Sequence, residues 1–200
     1  QPPPQIVWAD RALLRHSPFV ALAVIEQKPE PPNDAKLIEQ AKSGDEEAYA
    51  QIYKRHVRRI AGVVYRLLGS DHQLEDIVQE TFVIGLGQLG ELREPDALGG
   101  WLRTIAVRRV QRHLAGRYKQ RALGDALSAA APRVSTPAAS EEIVALYQAL
   151  ATLPDKIRLP WMLHHIEGET LPAVADMCET SLTSVKRHIA KAKEHLRRLG

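Results

Sequence analysis

Apolar residues in most of this 200-residue chain recur at steps of three and four, which is the spacing along one face of an α-helix. We find no β-hairpin signal and no sustained alternation of apolar and polar residues. Aromatic residues make up only 5% of the chain, so any core must depend on Leu, Ile, Val and Ala. The sequence therefore predicts an all-α protein. The pattern is clearest at Tyr49, Ile52, Tyr53, Ile60, Val63, Val64 and Leu67.

Prolines divide the chain into two helical domains. Of the thirteen prolines, Pro2, Pro3, Pro4, Pro18, Pro29, Pro31 and Pro32 lie near the start, which predicts a disordered or loosely packed extension over residues 1–33. Residues 123–140 are rich in Ala and Ser and contain two further prolines, which is typical of a flexible linker. The predicted domains are residues 34–122 and 141–200.

The single cysteine, Cys178, excludes a disulfide within the chain and favours a reducing compartment. No apolar run approaches the roughly 20 residues of a membrane-spanning helix. We therefore expect a cytoplasmic protein without membrane insertion.

Local signals place several helix ends. Asp45 has the side chain of an N-cap, and Glu46 and Glu47 follow in the first turn, where the helix dipole favours acids. Gly69 is a predicted C-terminal stop, and residues 70–73 have capping-box spacing for the next helix. Further helices are predicted over residues 96–121, 143–153, 155–166, 171–178 and 182–199.

The predicted helix over residues 96–121 is strongly basic. No acidic residue occurs between Asp96 and Asp125. A solvated helix face normally mixes both signs, whereas an uninterrupted positive stretch suits neutralisation of nucleic-acid phosphates. The basic and aromatic residues of this stretch include Trp101, Arg103, Arg108, Arg109 and Arg112.

A short helix, a tight turn and a long helix follow one another over residues 171–199, which is the layout of a helix-turn-helix. The pattern predicts that Leu182, Val185 and Ile189 hold this unit together. Short polar residues beside Lys and Arg suit contacts to base edges and phosphates. The predicted DNA-contacting residues are Thr183, Ser184, Lys186, Arg187 and Lys191.

Asp76, Gln79, Glu80 and Val83 share one face of a predicted helix, opposite its apolar stripe. Taken alone, such a face is usually a solvated acidic surface.

Together these stretches resemble the extracytoplasmic-function (ECF) class of bacterial RNA polymerase sigma factors. The resemblance covers residues 34–200. Residues 43–49 (SGDEEAY) resemble the opening of the family's region 2, residues 74–82 (LEDIVQETF) its polymerase-binding helix, and residues 101–107 (WLRTIAV) the start of its −10 helix. Residues 150–154 (LATLP) with Arg158 resemble the opening of region 4, and residues 184–193 its −35 recognition helix.

The resemblance implies an alternative sigma factor without catalytic residues or a cofactor. It implies core RNA polymerase, promoter DNA and an anti-sigma factor as partners. The implied polymerase-binding residues are Asp76, Gln79, Glu80 and Phe82. The implied −10 residues are Trp101, Arg103, Arg108, Arg109 and Arg112, and the −35 residues are the five named above.

The sequence departs from the family pattern in four places. Arg108 stands where Asn is usual, and Glu179 stands where the turn usually has Gly. Gly85 and Gly87 fall late in the polymerase-binding helix, where they predict a bend or an early end. Pro160 should kink its helix or mark its first turn.

Three other readings are open. Residues 85–90 match G-x-G-x-x-G, so a dinucleotide-binding enzyme is a rival; it would need a preceding strand and a following helix. His164, His165, Cys178 and His188 could be imagined as metal ligands, although their spacing is not compact. The main alternative is a helix-turn-helix regulator that never acts as a sigma subunit. The face with Asp76, Gln79 and Glu80 distinguishes the two, because a simple regulator has no need of a polymerase-binding face.

Overall fold

The computed structural model describes residues 34–69, 73–122 and 141–198. Within those ranges the chain forms eight α-helices and no strand, which confirms the all-α prediction. The predicted extension (residues 1–33), the predicted linker (123–140) and residues 70–72 lie outside the described residues. The helices are α1 (Ala35–Lys42), α2 (Glu46–Leu68), α3 (Leu74–Gly87), α4 (Leu98–Ala122), α5 (Glu141–Ala151), α6 (Asp155–His165), α7 (Leu171–Met177) and α8 (Leu182–Arg197).

Helices α1 to α4 form the first module. Asp45 caps α2 by accepting hydrogen bonds from the backbone N–H groups of Glu47 and Ala48, and Gly69 ends the helix with φ 71°, so both predictions are confirmed. The predicted inward residues of α4 are confirmed as well, because Leu102, Ala106 and Val110 are fully buried.

Sequence periodicity did not predict α1, which has only eight residues. Asp34 precedes it but does not cap it with its side chain. The buried Asp34 carboxylate instead lies 2.5 Å from His56 Nε2 and accepts a hydrogen bond from Arg55 at 3.0 Å. These two contacts to α2 fasten α1 to the rest of the module.

Helices α3 and α4 approach each other closely at Gly85. A Cβ atom built at this position would lie 2.5 Å from the Cδ2 atom of buried Leu102. Helix α3 continues past Gly85 and ends at Gly87, which confirms the predicted early end and gives Gly85 a packing role.

Helices α5 to α8 form the second module around Leu150, Leu163, Val174 and Val185, all of which are fully buried. Pro160 is the sixth residue of the eleven-residue α6, so it does not mark a first turn. The prediction that Leu182 holds the unit together was wrong. Its side chain is 40% exposed, and it occupies the first position of α8, before the packed turns of the helix.

The two modules are in contact, chiefly between α4 of the first and α7 of the second. None of the helices in the described ranges is both long and apolar enough to cross a membrane.

Candidate polymerase- and DNA-binding surfaces

One face of α3 exposes acidic and apolar groups together. Asp76 and Glu80 are exposed, and Val83 is 55% exposed, which is high for a large apolar side chain. Gln79 is half-buried and donates a hydrogen bond to Glu75 at 3.4 Å. We call Asp76, Gln79, Glu80 and Val83 the α3 face. An exposed apolar group among acids is suited to a protein partner.

Phe82 does not belong to the α3 face. Its ring is fully buried and packs edge-on against Tyr53 at a centroid distance of 4.8 Å. A direct contact between Phe82 and a partner is incompatible with this burial, so the prediction for Phe82 is corrected. Because α3 turns 100° per residue, Phe82 faces the core while its neighbour Val83 faces outward.

A groove separates the α3 face from the basic helix α4. Its lining includes Asp76, Glu80, Val83, Arg109 and Arg112. Arg109 donates a hydrogen bond through Nε to Glu80 at 2.8 Å, so these two predicted binding residues hold each other in place. Arg112 is exposed at the rim.

The predicted −10 residues do not share one surface. Trp101 and Arg103 line a second groove, whose other lining residues come from α2 and from residues 91–100. Arg103 and Arg112 are nine positions apart, which places them on opposite sides of a helix. The resemblance also implied that residues 92–101 engage the −10 element, and Arg93 lines the same groove as Trp101; sequence reasoning missed Arg59, which lines it too.

Two of the predicted −10 arginines contact the second module. Arg103 forms an ion pair with Glu169 at 2.7 Å, and both side chains are about nine-tenths buried. Arg108 lies 3.4 Å from Asp176 and 3.5 Å from Glu179. Burial lowers the pKa of nearby Arg59, as does the positive charge of Arg103.

Helices α7 and α8 form a helix-turn-helix. Thr170 caps α7 by accepting from Ala173 N–H, and Ser181 caps α8 by accepting from Ser184 N–H. Glu179 lies in the turn with φ 48°, a left-handed conformation that disfavours non-glycine residues. The N–H group of Thr180 donates to the Ala175 carbonyl at 3.0 Å and closes the turn.

The predicted −35 residues line the outer side of α8. Thr183, Lys186, Arg187 and Lys191 are exposed, and none of the four forms an ion pair with a residue that the structure describes. Ser184 is half-buried, and its hydroxyl accepts a hydrogen bond from Ser181 at 2.9 Å, so it is the least available of the set.

Two further residues of α8 were missed. The exposed Leu182 stands beside Thr183, where an apolar group suits a thymine methyl. Burial, together with the positive charge of Arg187, Lys156 and Lys191, lowers the pKa of His188. The signal for Leu182 was its position directly after the cap, where a side chain precedes the packed turns of the helix.

The two site types that would imply other functions find no support among the described residues. No group of three or more His, Cys, Asp and Glu residues there is placed to hold a metal ion. His164 uses Nδ1 in a 2.8 Å contact with the Glu169 carbonyl. Residues 85–87 of the G-x-G-x-x-G match belong to α3, so no strand precedes them, which contradicts a dinucleotide-binding unit.

Comparison with known proteins follows the two modules. The family model for sigma-70 region 2 matches residues 52–120, and that for sigma-70 region 4 matches residues 143–196. The chain is 24% identical over 174 residues to the RNA polymerase sigma-H factor of Pseudomonas aeruginosa, covering 80% of this chain and 90% of that protein. It is 26% identical over 176 residues to the ECF RNA polymerase sigma factor SigW of Bacillus subtilis, covering 82% and 94% respectively.

The fold is similar to a solved structure, the sigma factor RpoE of Bartonella quintana in complex with the anti-sigma factor NepR. The TM-score is 0.63 at 18% sequence identity, and the match covers 76% of this chain and 96% of that chain.

Proposed function

The chain belongs to the sigma-70 family as an ECF-class alternative sigma factor, and we propose which of its surfaces carry that function. An alternative sigma factor binds core RNA polymerase and directs it to promoters. The observation that carries the assignment of surfaces is that one chain combines an exposed acidic and apolar helix face with a helix-turn-helix whose outer side is basic.

The α3 face is proposed to bind core polymerase. Asp76 and Glu80 supply negative charge, and Val83 supplies apolar area that is solvated in the free chain. Charged groups at a rim mainly direct association, while burial of an apolar group slows dissociation. The Glu80–Arg109 ion pair fixes one edge of this face.

The groove beside Trp101 and the basic side of α4 are proposed to engage the −10 element. Separating promoter strands requires unstacking, which costs a few kcal/mol per base. Phosphate contacts through arginines and stacking on an aromatic ring offset that cost. Arg103, Arg108, Arg109 and Arg112 are the proposed phosphate-binding residues, and the Trp101 ring is the proposed stacking surface.

The outer side of α8 is proposed to enter the major groove at the −35 element. Thr183, Lys186, Arg187 and Lys191 lie on one side of the first two and a half turns, where a recognition helix meets base edges. Leu182 adds an apolar contact to this set.

The solved relative is a sigma factor in complex with an anti-sigma factor, and we extend that class of partner to this chain. Sigma factors are non-enzymatic initiation factors, and no catalytic role is proposed for any residue here. Since the polymerase and the chromosome share the bacterial cytoplasm, we place the protein there as well.

The alternative function is a helix-turn-helix regulator that binds DNA without binding polymerase as a sigma subunit. Size-exclusion co-elution with bacterial core polymerase, freed of its own sigma, separates the two. We expect co-elution of the native chain and its loss on Asp76→Lys. Glu39→Lys is the control, since it makes the same charge change at an exposed residue of α1 in the same module.

Asp76 is preferred to Glu80 for this test because Glu80→Lys would also place a cation against Arg109. Lys186→Glu with Arg187→Glu completes the set. This pair should preserve co-elution while weakening binding to −35 DNA and lowering the slope of its salt dependence by about 1 to 2. Absence of co-elution by the native chain, with DNA binding retained, would favour the plain regulator.

A further inference from the structure

The ion pairs between the two modules join arginines of the first to acids of the second. Arg66 on α2 donates two hydrogen bonds to Glu167, at 2.5 and 2.9 Å, and Arg103 on α4 pairs with Glu169. Glu167 and Glu169 flank Gly168, whose φ of 72° turns the chain so that both acids meet the first module.

The third contact joins two positions at which this chain departs from the family pattern. Arg108 stands in place of Asn and Glu179 in place of Gly, and the Arg108 Nε atom lies 3.5 Å from a Glu179 carboxylate oxygen. Asp176 lies 3.4 Å from the same guanidinium group. A glycine would adopt the left-handed backbone of residue 179 without strain, but it would leave Arg108 with one acid fewer.

We propose that Glu169, Asp176 and Glu179 form an intramolecular latch that occupies Arg103 and Arg108. The latch keeps the free chain closed, with the second module in contact with α4 of the first. The acids take the places that DNA phosphates would take on the same guanidinium groups. Promoter DNA and the second module therefore compete for the same two guanidinium groups. That the occupied surface is the −10 surface rests on the proposed function, whereas the closed arrangement itself does not.

The three acids contribute unequally to the latch. The Arg103–Glu169 pair is shielded from solvent, with 12% and 13% of the two side chains exposed. The Arg108 contacts are open to solvent, since Asp176 is 71% and Glu179 60% exposed, so salt screens them more strongly. We therefore expect Glu169 to hold the latch at physiological ionic strength and the other two acids to add to it at low salt.

The chain carries its own reporter for the closed state. Cys178, at the end of α7, is mostly buried and within hydrogen-bonding reach of Gln111 on α4. Burial raises the pKa of the Cys178 thiol to about 11, against a usual value of 9.0. Since the thiolate is the reactive form, opening the latch should raise its fraction at pH 8 by up to about 100-fold.

The test measures alkylation of Cys178 in the full chain by iodoacetamide, whose lack of charge limits direct electrostatic effects on the rate. The variant combines Glu169→Gln, Asp176→Asn and Glu179→Gln. Its matched control combines Glu39→Gln, Glu46→Gln and Glu194→Gln. It neutralises the same number of carboxylates as the latch variant, at three positions outside the contact. Circular dichroism and urea unfolding serve to check that each protein is folded.

We expect the latch variant to react at least tenfold faster than the native chain and the control variant to react at the native rate. Raising the salt from 50 to 500 mM should accelerate alkylation of the native chain and the control but not of the latch variant. Equal rates for all three proteins, or a salt response that survives in the latch variant, would overturn the proposal.

A second measurement separates the latch from the proposed function. Affinity for a fluorescent single-stranded oligonucleotide of mixed sequence is compared at low salt, and the latch variant should bind several-fold more tightly than the control. Faster alkylation with unchanged, measurable affinity would refute competition with DNA. Faster alkylation with no DNA binding by any of the proteins would leave the closed contact standing and contradict the proposed function of α4.

Discussion

The interior of each module and the contact between the modules are stabilised in different ways. Each interior is apolar, and the largest fully buried side chains include Phe82 and Leu102 in the first module and Leu150 and Leu163 in the second. The contact between modules includes three arginines paired with acids. Apolar burial is not screened by salt, whereas ion pairs weaken with salt and yield to another anion. A protein that must keep its domains folded while exchanging partners gains from that division.

The largest effect should come from the apolar interior. Leu102→Ala removes a fully buried side chain at the crossing of α3 and α4, and we expect the free energy of unfolding to fall by about 2 to 5 kcal/mol. Urea unfolding at 50 and 500 mM salt should show the same loss. Leu182→Ala, at an exposed position, should stay within about 0.5 kcal/mol of the native chain. A loss of unfolding free energy for Leu102→Ala that depended strongly on salt would contradict the contrast between an apolar interior and an ionic contact.

One of the two buried ion pairs between the modules should come next. Glu167→Gln removes one partner of Arg66, whose side chain is 17% exposed, and hydrogen bonds to charged groups contribute about 1.5 to 3 kcal/mol. We expect a larger radius of gyration by small-angle scattering, with unchanged helix content by circular dichroism. Glu194→Gln, whose partners lie within α8, is the control and should leave the radius unchanged. Loss of helix content in Glu167→Gln would mean that this pair belongs to a folded interior.

The glycines of α3 give a matched pair inside the first module. Gly85→Ala drives a methyl group into Leu102 and should cost about 1 to 3 kcal/mol of unfolding free energy, despite the better helix propensity of Ala. Gly87→Ala meets no atom within 4 Å and should be neutral or stabilising by up to about 1 kcal/mol. Thermal unfolding of the two variants checks the prediction. Equal stabilities would contradict the close approach of α3 and α4.

The smallest effect should be a dependence on pH. Because the pKa of Cys178 rises from 9.0 to about 11 on burial, its contribution to stability is fully present below pH 9 and is lost as the pH rises through 11. At pH 10 the loss amounts to about 1 kcal/mol. Comparing urea unfolding of the native chain and Cys178→Ser at pH 8.5 and 10 isolates this thiol. Parallel pH dependence in both proteins would show that Cys178 is not buried in the contact.

Periodicity and capping signals predicted most of the fold because both are local. Asp45 lies two and three residues from the N–H groups that it caps, and the apolar stripe of α4 repeats along one helix. Helix α1 escaped because its stabilising contacts come from α2, through Asp34 and His56, which are 22 residues apart. Phe82 was wrongly included among the polymerase-binding residues because motif resemblance identifies the helix but not the direction of each side chain.

The contact between modules lay beyond sequence reasoning. Arg66 and Glu167 are 101 residues apart, and Arg108 and Asp176 are 68 residues apart, so no spacing along the chain reveals either pair. The unusual residues at positions 108 and 179 were visible in the sequence as two separate departures. Only the fold shows that the two side chains lie close enough to form an ion pair.

The most direct test of the proposed promoter recognition is transcription by bacterial core polymerase reconstituted with this chain on a library of linear DNA containing randomised upstream sequence. We expect the templates that yield transcripts to share two sequence blocks at constant spacing near −35 and −10. Lys186→Glu with Arg187→Glu should abolish selection of the −35 block before it affects selection of the −10 block. Transcription no more selective than that of core polymerase alone, by a chain that still binds DNA, would contradict the assignment of its surfaces to promoter recognition.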